Sequence, residues 1–364
     1  MKKIKVGVLG ATGAVGTEYV RLLSNHPWFE LSVVAASSKS AGKNYGEAAS
    51  EKWVKGSIPK NVKDMRVENV SDIELIASGC GLVFSAFEGS KEEIQAIENQ
   101  YAMLVPVVSN NSAHRWSRAI PMIMPEINAG HLDIIKRQKE IYGFEKGFIV
   151  VKPNCSIQSF LMQIHALRNA GYHPNLAIVT TSQALSGAGI PGVPSMKITD
   201  NIIPYIKGEE EKTEEEPKKI FGHVENWDIV PYEELRISAT CTRVPVRYGH
   251  TASVSLFFKS KLPDDLDEII RIWERFQPED VIGLPSAPEQ PLFYVDEEDG
   301  PQPARELAHS DGMTVFTGRL KKGHAPELGM DFLRFVGLSD NIIRGAAGGA
   351  ILTAELLKKK EYLD

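Results

Sequence analysis

Cys155 lies in Lys152-Pro153-Asn154-Cys155-Ser156, after an apolar run at 147–151 and before Ile157, Phe160, Leu161, Ile164 and Leu167. A short β-branched run reads as a buried strand. Pro153 ends it, because proline has no ladder donor. The periodic apolar residues predict a helix that starts just after the cysteine. The sulfur is therefore expected on a sharp strand-to-helix turn. Unpaired backbone N–H groups and the positive dipole end favour a thiolate there. The same groups can stabilise an oxyanion on a carbonyl under attack. A buried, inert cysteine fits the local pattern as well.

Four other side chains are placed to share such chemistry. Gln183 ends a predicted strand at 176–182 and precedes a stretch rich in glycine up to Gly192. Arg243 and His250 flank a hairpin-like connection between predicted strands at 236–246 and 251–258. A guanidinium binds a carboxylate through two parallel bonds, and an imidazole titrates in the range useful for proton transfer. Arg115 follows the polar loop Ser109-Asn110-Asn111-Ser112, at the carboxyl end of a predicted strand, and is a candidate anion clamp. On local pattern alone each of these reads equally well as packing or surface.

The elements that would position them begin with a β-type run at 4–9, followed at once by Gly10-Ala11-Thr12-Gly13-Ala14-Val15-Gly16 and a helical pattern. Strand, glycine turn and helix together point to dinucleotide binding, with a pyrophosphate on the helix N-terminus. The second strand, at 31–36, ends in Ala35-Ala36-Ser37-Ser38-Lys39-Ser40 without a carboxylate. An NAD site places an acidic residue there for the ribose 2′-OH, so NADP is favoured. Further strands at 81–84 and 104–108, with a helix at 91–99, continue a doubly wound parallel sheet. The last helical pattern, 341–357, carries Gly345, Gly348 and Gly349 and is expected to return to this sheet.

The run 208–219 is dominated by charge and reads as a solvated helix face or loop. At 364 residues, two domains are the natural expectation. A net charge of −6 gives no footprint for nucleic acid or an anionic membrane. Three cysteines without a CxxC pair suit a reducing, cytoplasmic setting. The nine histidines lack metal-ligand spacing, so no metal is expected. No apolar run reaches transmembrane length, and the N-terminus leaves no room for a signal peptide.

Five segments in order resemble the aspartate-β-semialdehyde dehydrogenase family, in its archaeal and fungal branch: GATGAVG (10–16), PNCS (153–156), SQALSGAG (182–189), RVPVRYGH (243–250) and DNIIRGAAGG (340–349). The resemblance implies an α/β protein: a Rossmann-type doubly wound parallel sheet plus an α+β catalytic and dimerisation domain. It implies an NADP-binding domain at 1–154, completed by 339–364, and a catalytic domain at 155–338. It also implies NADPH-dependent reduction of L-β-aspartyl phosphate to the semialdehyde and phosphate, by a homodimer or homotetramer. Cys155 then resembles the nucleophile, Gln183 its orienting partner and His250 the general acid/base. Arg243 resembles the α-carboxylate clamp, and Glu209 and Lys212 match a Glu-x-x-Lys pair that reads the amino group and phosphate. Arg115 and Asn154 join the substrate site. Gly10, Thr12, Gly13, Ala14, Val15, Ser37, Ser38, Ser186, Gly187 and Asn341 resemble cofactor contacts. The resemblance brings the first turn of the charge run into the site and leaves 214–219 on the surface. A malonyl-CoA reductase of the same branch, and a non-catalytic NADP-binding protein, are the alternatives.

Overall fold

The computed structural model describes residues 2–308 and 310–363. Its first sheet is six-stranded: β1 (Ile4–Leu9), β2 (Phe29–Ala36), β3 (Val67–Asn69), β4 (Leu82–Ser85), β5 (Val107–Ser109) and β6 (Ile149–Val151). The order is β3-β2-β1-β4-β5-β6, and every pair is parallel. The strand order reverses between β1 and β4, which opens a crevice at their carboxyl ends where ligands bind in such sheets. The helix Lys91–Leu104 runs five residues past its expected end and takes in the residue where a strand was expected, so β5 starts only at Val107. A reciprocal capping box between Ser90 and Glu93 fixes where that helix begins.

Gly10 and Gly16 are required by space. Gly10 has a φ of +84°, and a Cβ on Gly16 would lie 2.0 Å from the Gly10 carbonyl oxygen. Gly16→Ala must push the helix Ala14–Leu23 off β1. We expect it to cost about 1–3 kcal/mol, as overpacking does, read as a lower thermal midpoint that saturating NADP only partly restores. An unchanged midpoint would contradict this packing.

The second sheet contains β7 (Pro174–Gln183), β10 (Arg236–Arg243), β11 (His250–Phe258), β12 (Leu292–Val295), β13 (Val315–Ala325) and β14 (Met330–Ser339). Between β7 and β10 a separate ribbon pairs β8 (His223–Glu225) with β9 (Asp228–Val230). The main order is β10-β7-β11-β14-β13-β12, a mixed sheet. The connection 244–249 is therefore no hairpin: β7 lies between β10 and β11, parallel to the first and antiparallel to the second. One face of this sheet, with Ala177, Val179, Val254, Leu256, Leu333 and Phe335, joins a core with the helix Leu161–Asn169 and Trp273. The opposite face, carrying Ile178, Thr180, Ser253 and Arg334, is open.

Cys155 begins a 3-10 turn, Ser156–Ser159, and the α-helix starts only at Leu161, after a break at Phe160. The turn presses on the second sheet so closely that a Cβ on Gly337 would meet the Ser159 carbonyl oxygen at 1.9 Å. The chain ends in a π turn, Ile343–Ala347, and the helix Gly348–Lys359. Ile351, Leu352, Ala354 and Leu356 of that helix share a core with Val6, Val8 and Val108 of the first sheet.

Candidate active site

Register gathers the site at one end of the second sheet. Arg243 at the end of β10 sits opposite Gln183 at the end of β7. His250 at the start of β11 sits opposite Ser339, two residues before Asn341. Cys155 arrives from the carboxyl end of β6 in the first sheet. Its Sγ lies 3.3 Å from His250 Nε2. His250 Nδ1 accepts the Ala184 backbone N–H at 3.0 Å. That bond assigns the proton of the neutral ring to Nε2, so the ring presents an N–H to the sulfur.

Both partners are held neutral. Burial pushes the Cys155 thiol up to about 11, and Glu209 adds to this, while Lys152, Arg115 and Arg243 pull it down. Burial, followed by the Arg243 charge, takes His250 down to about 3. The expectation of a resting thiolate is therefore corrected. A one-turn 3-10 segment offers little dipole, and desolvation outweighs it.

Glu209 ties the substrate-facing residues together. Its Oε2 accepts from Asn154 Nδ2 at 2.9 Å and Gln183 Nε2 at 3.3 Å, and its Oε1 accepts from Lys212 Nζ at 2.8 Å. Burial works to raise this carboxyl, but Lys212, Asn154 and Gln183 outweigh it and hold it below the ordinary range. Gln183 thus donates to Glu209 and Thr181. Arg243 Nη1 donates to the Ala184 carbonyl at 2.7 Å, keeping the guanidinium beside His250.

The surface reading of 214–219 is overturned. These residues belong to the helix Glu209–Ile220, whose buried residues include Thr213, Glu216, Pro217 and Lys219. Glu216 Oε1 accepts from Arg115 Nη1 at 2.8 Å, and its Oε2 accepts the Asn154 backbone N–H at 2.6 Å. Lys219 Nζ donates to the carbonyls of Arg115 and Ile120. Glu210 and Glu214 accept the backbone N–H groups of Cys241 and Ala239 and so cap the outer edge of β10. Arg115 also donates Nε to the Lys152 carbonyl and Nη2 to the Asn110 carbonyl. Three of its five N–H groups are engaged, which leaves two for a ligand. Under the same loop, Glu98 Oε1 accepts from Ser85, Ser109 and Asn111. Sequence reasoning missed Glu216, Lys219 and Glu98.

The nucleotide elements fit a dinucleotide with a 2′-phosphate. Gly13 caps the helix Ala14–Leu23 without a side-chain bond, so its first N–H groups stay free for a pyrophosphate beside Thr12, Ala14 and Val15. Ser37 and Ser38 are exposed at the end of β2, and no carboxylate follows them in sequence before Glu47. A cleft of about 300 Å³ runs from Ala14 and Thr17 to Ser186 and Ile342. At its inner end Asn341 Nδ2 donates to Ser186 Oγ at 2.9 Å. Gly187 leaves the wall flat there: a Cβ would lie 2.8 Å from Arg243 Nη1 and 3.1 Å from His250 Cε1.

Buried histidines make the fold sensitive to acid. Burial takes His114 and His165 to about 4 and His250 to about 3, and it lowers His131 too. Their folded values lie below the unfolded one, so this stability is present above pH ~6.5 and is lost as pH falls. At pH ~5 unfolding takes up about three protons, a slope of up to about 4 kcal/mol per pH unit. Glu98 and Asp340, raised by burial, offset part of it. Denaturant unfolding at pH 7 and pH 5 measures the difference, and equal stabilities would refute it.

Comparison with known proteins agrees with this geometry. The family description "Semialdehyde dehydrogenase, NAD binding domain" matches residues 5–135, and "Semialdehyde dehydrogenase, dimerisation domain" matches 164–344. An aspartate-semialdehyde dehydrogenase from Aspergillus fumigatus is 40% identical, with 99% of each chain covered. One from Archaeoglobus fulgidus is 38% identical, covering 99% of this chain and 100% of its own. The crystal structure of the Candida albicans enzyme with NADP superimposes with a TM-score of 0.88 at 35% identity, covering 99% of both chains. The chain belongs to the aspartate-semialdehyde dehydrogenase family.

Proposed function

We propose that this protein catalyses the reversible, NADPH-dependent reduction of L-β-aspartyl phosphate to L-aspartate-β-semialdehyde and phosphate, through a thioester on Cys155. The observation that carries the reading is the convergence of Cys155, His250, Arg243, Glu209 and Arg115 around one sulfur. Arg243 clamps the α-carboxylate, and Glu209 takes the amino group, so specificity rests on charge at both ends of an amino acid. Arg115 and Lys212 offset the phosphate's charge. Malonyl-CoA also offers a carboxylate to Arg243, but it has no amino group for Glu209 and no acyl phosphate for Arg115 and Lys212, which favours the aspartyl substrate.

In the acylation step Cys155 Sγ bonds to the acyl carbon and the C–O bond to phosphate breaks. The thiol proton leaves on the phosphate, which balances the charge without a base at His250. His250 Nε2–H donates to the sulfur and then to the oxygen that gains negative charge. When bound, NADPH would supply the hydride that takes the thioester to the thiohemiacetal level. Collapse to the aldehyde returns the electron pair to sulfur, His250 again holds the thiolate by donation, and a proton taken up from solvent restores the thiol. Thr12 to Val15, Ser37, Ser38, Ser186, Gly187 and Asn341 are the residues that would hold the dinucleotide.

Residues 1–154 with 339–364 form the nucleotide half in this reading, and 155–338 the catalytic half. The open face of the second sheet, with Ile178 and Thr180, is the surface for a second copy, giving a homodimer or a tetramer built from it. The setting is cytoplasmic; among the described residues no helix is long and apolar enough to cross a membrane. The test is NADP reduction with L-aspartate semialdehyde, with and without inorganic phosphate. NADPH formation that depends on phosphate is expected. Inertness toward the semialdehyde together with NADPH oxidation by malonyl-CoA would overturn the assignment.

A further inference from the structure

Lys152, three residues before the cysteine, is only 2% exposed, and its Nζ has no hydrogen-bond partner among the described residues. It packs in a small pocket with Glu126, Arg344 and Gly349. Arg344 Nη1 is ion-paired to Glu126 Oε1, while Glu126 Oε2 and Arg344 Nε and Nη2 have no partner among the described residues. The π turn and following helix make the room. A Cβ on Gly349 would lie 2.5 Å from Lys152 Cε, and a Cβ on Gly345 would lie 2.7 Å from Cys155 Cβ. Lys152 and Cys155 thus sit against Gly349 and Gly345, two glycines four positions apart on the π turn and the helix that follows it.

We infer that Lys152 is an electrostatic positioning residue for Cys155: its buried ammonium favours the thiolate, and loss of its proton withdraws that support. The proposal rests on reading Cys155 as the reactive thiol. Lys152 is the leading cation among those that pull the Cys155 thiol down, ahead of Arg115 and Arg243. The groups facing Lys152 are Arg344, Cys155, Arg115 and Glu126; burial first, then the Arg344 charge, bring its amine down to about 7. The ammonium is therefore present below neutrality and gone above about pH 8. An unpaired buried charge is a liability for stability, so a stability argument gives no reason for lysine here.

The test is alkylation of Cys155 by iodoacetamide between pH 5.5 and 10, followed by peptide mass spectrometry to separate it from Cys80 and Cys241. A lone thiol gains tenfold in rate per pH unit below its pKa. In the wild type the slope should flatten around pH 7, where Lys152 loses its charge as the thiol gains reactivity. Lys152→Met should restore the plain tenfold slope, react about tenfold more slowly at pH 6, and meet the wild type above pH ~8. Methionine fills similar volume without the charge, so the variant should fold. Lys152→Arg, always charged, should also lose the flattening but keep the faster rate at pH 6. A plain tenfold slope in the wild type overturns the inference without any variant. Coincident wild-type and Lys152→Met profiles also overturn it. Alkylation reads the thiol itself, so failure of the semialdehyde assay would leave this result standing on its own.

Discussion

Cys155→Ser should lose turnover by about 10⁴-fold or more while folding normally and still binding NADP. A serine hydroxyl needs a base, and His250 turns an N–H rather than a lone pair toward position 155. In a serine hydrolase a carboxylate accepts the Nδ1 proton, which leaves Nε2 free to take the hydroxyl proton. Here the Ala184 N–H occupies Nδ1 of His250, so Nε2 already carries the proton. A thiol escapes this limit, because its sulfur is the better nucleophile and its proton can leave on phosphate. The companion variant is His250→Gln, which can still offer an N–H near the sulfur. It should retain measurable activity, whereas His250→Leu should lose most of it. If the serine variant kept about one hundredth of wild-type kcat, the ring would have to turn over during the reaction and act as an acceptor. NADP titration of each variant separates loss of chemistry from loss of fold.

What was legible in the sequence depended on whether hydropathy marks the feature. The run into Leu9, the glycine turn and the strand into Cys155 all bury apolar side chains, so pattern and structure agree there. The helix Glu209–Ile220 buries Glu209, Thr213, Glu216 and Ile220, spaced four, three and four apart. That is the period of a core-facing stripe, but three of its four members are polar, and hydropathy cannot see it. Only Ile220 and the match of spacing could have signalled it. The neighbours of β7 were hidden for another reason: β10 and β11 are adjacent in sequence but separated in space, and only pairing across the sheet decides this. Arg243 and His250 still meet, because the connection passes the end of β7 and leaves both residues at the same end of the sheet. The desolvation that raises the Cys155 thiol is not legible either, because a sequence shows the turn but not what packs around it.

Glu216→Ala should destabilise the fold by about 3–5 kcal/mol, the usual cost of leaving a buried charge without its partner. Glu216 is fully buried and joins two parts of the site: Arg115, and the backbone N–H of the residue before the nucleophile. Its loss frees the Arg115 Nη1 group and leaves the Asn154 N–H unsatisfied. The guanidinium then has only carbonyls to hold it, and the cysteine turn loses its tether to the helix Glu209–Ile220. The expected signature in the phosphate-dependent reaction is a raised KM for phosphate, about tenfold or more, with a smaller fall in kcat. Glu216→Gln keeps the shape and one acceptor. It should recover most of the stability but less of the phosphate affinity, because a neutral amide orients Arg115 more weakly than a carboxylate does. A fall in kcat alone, at unchanged phosphate KM and unchanged stability, would show that Arg115 does not depend on this carboxylate. That result would return the second half of the helix to the surface role its composition suggests.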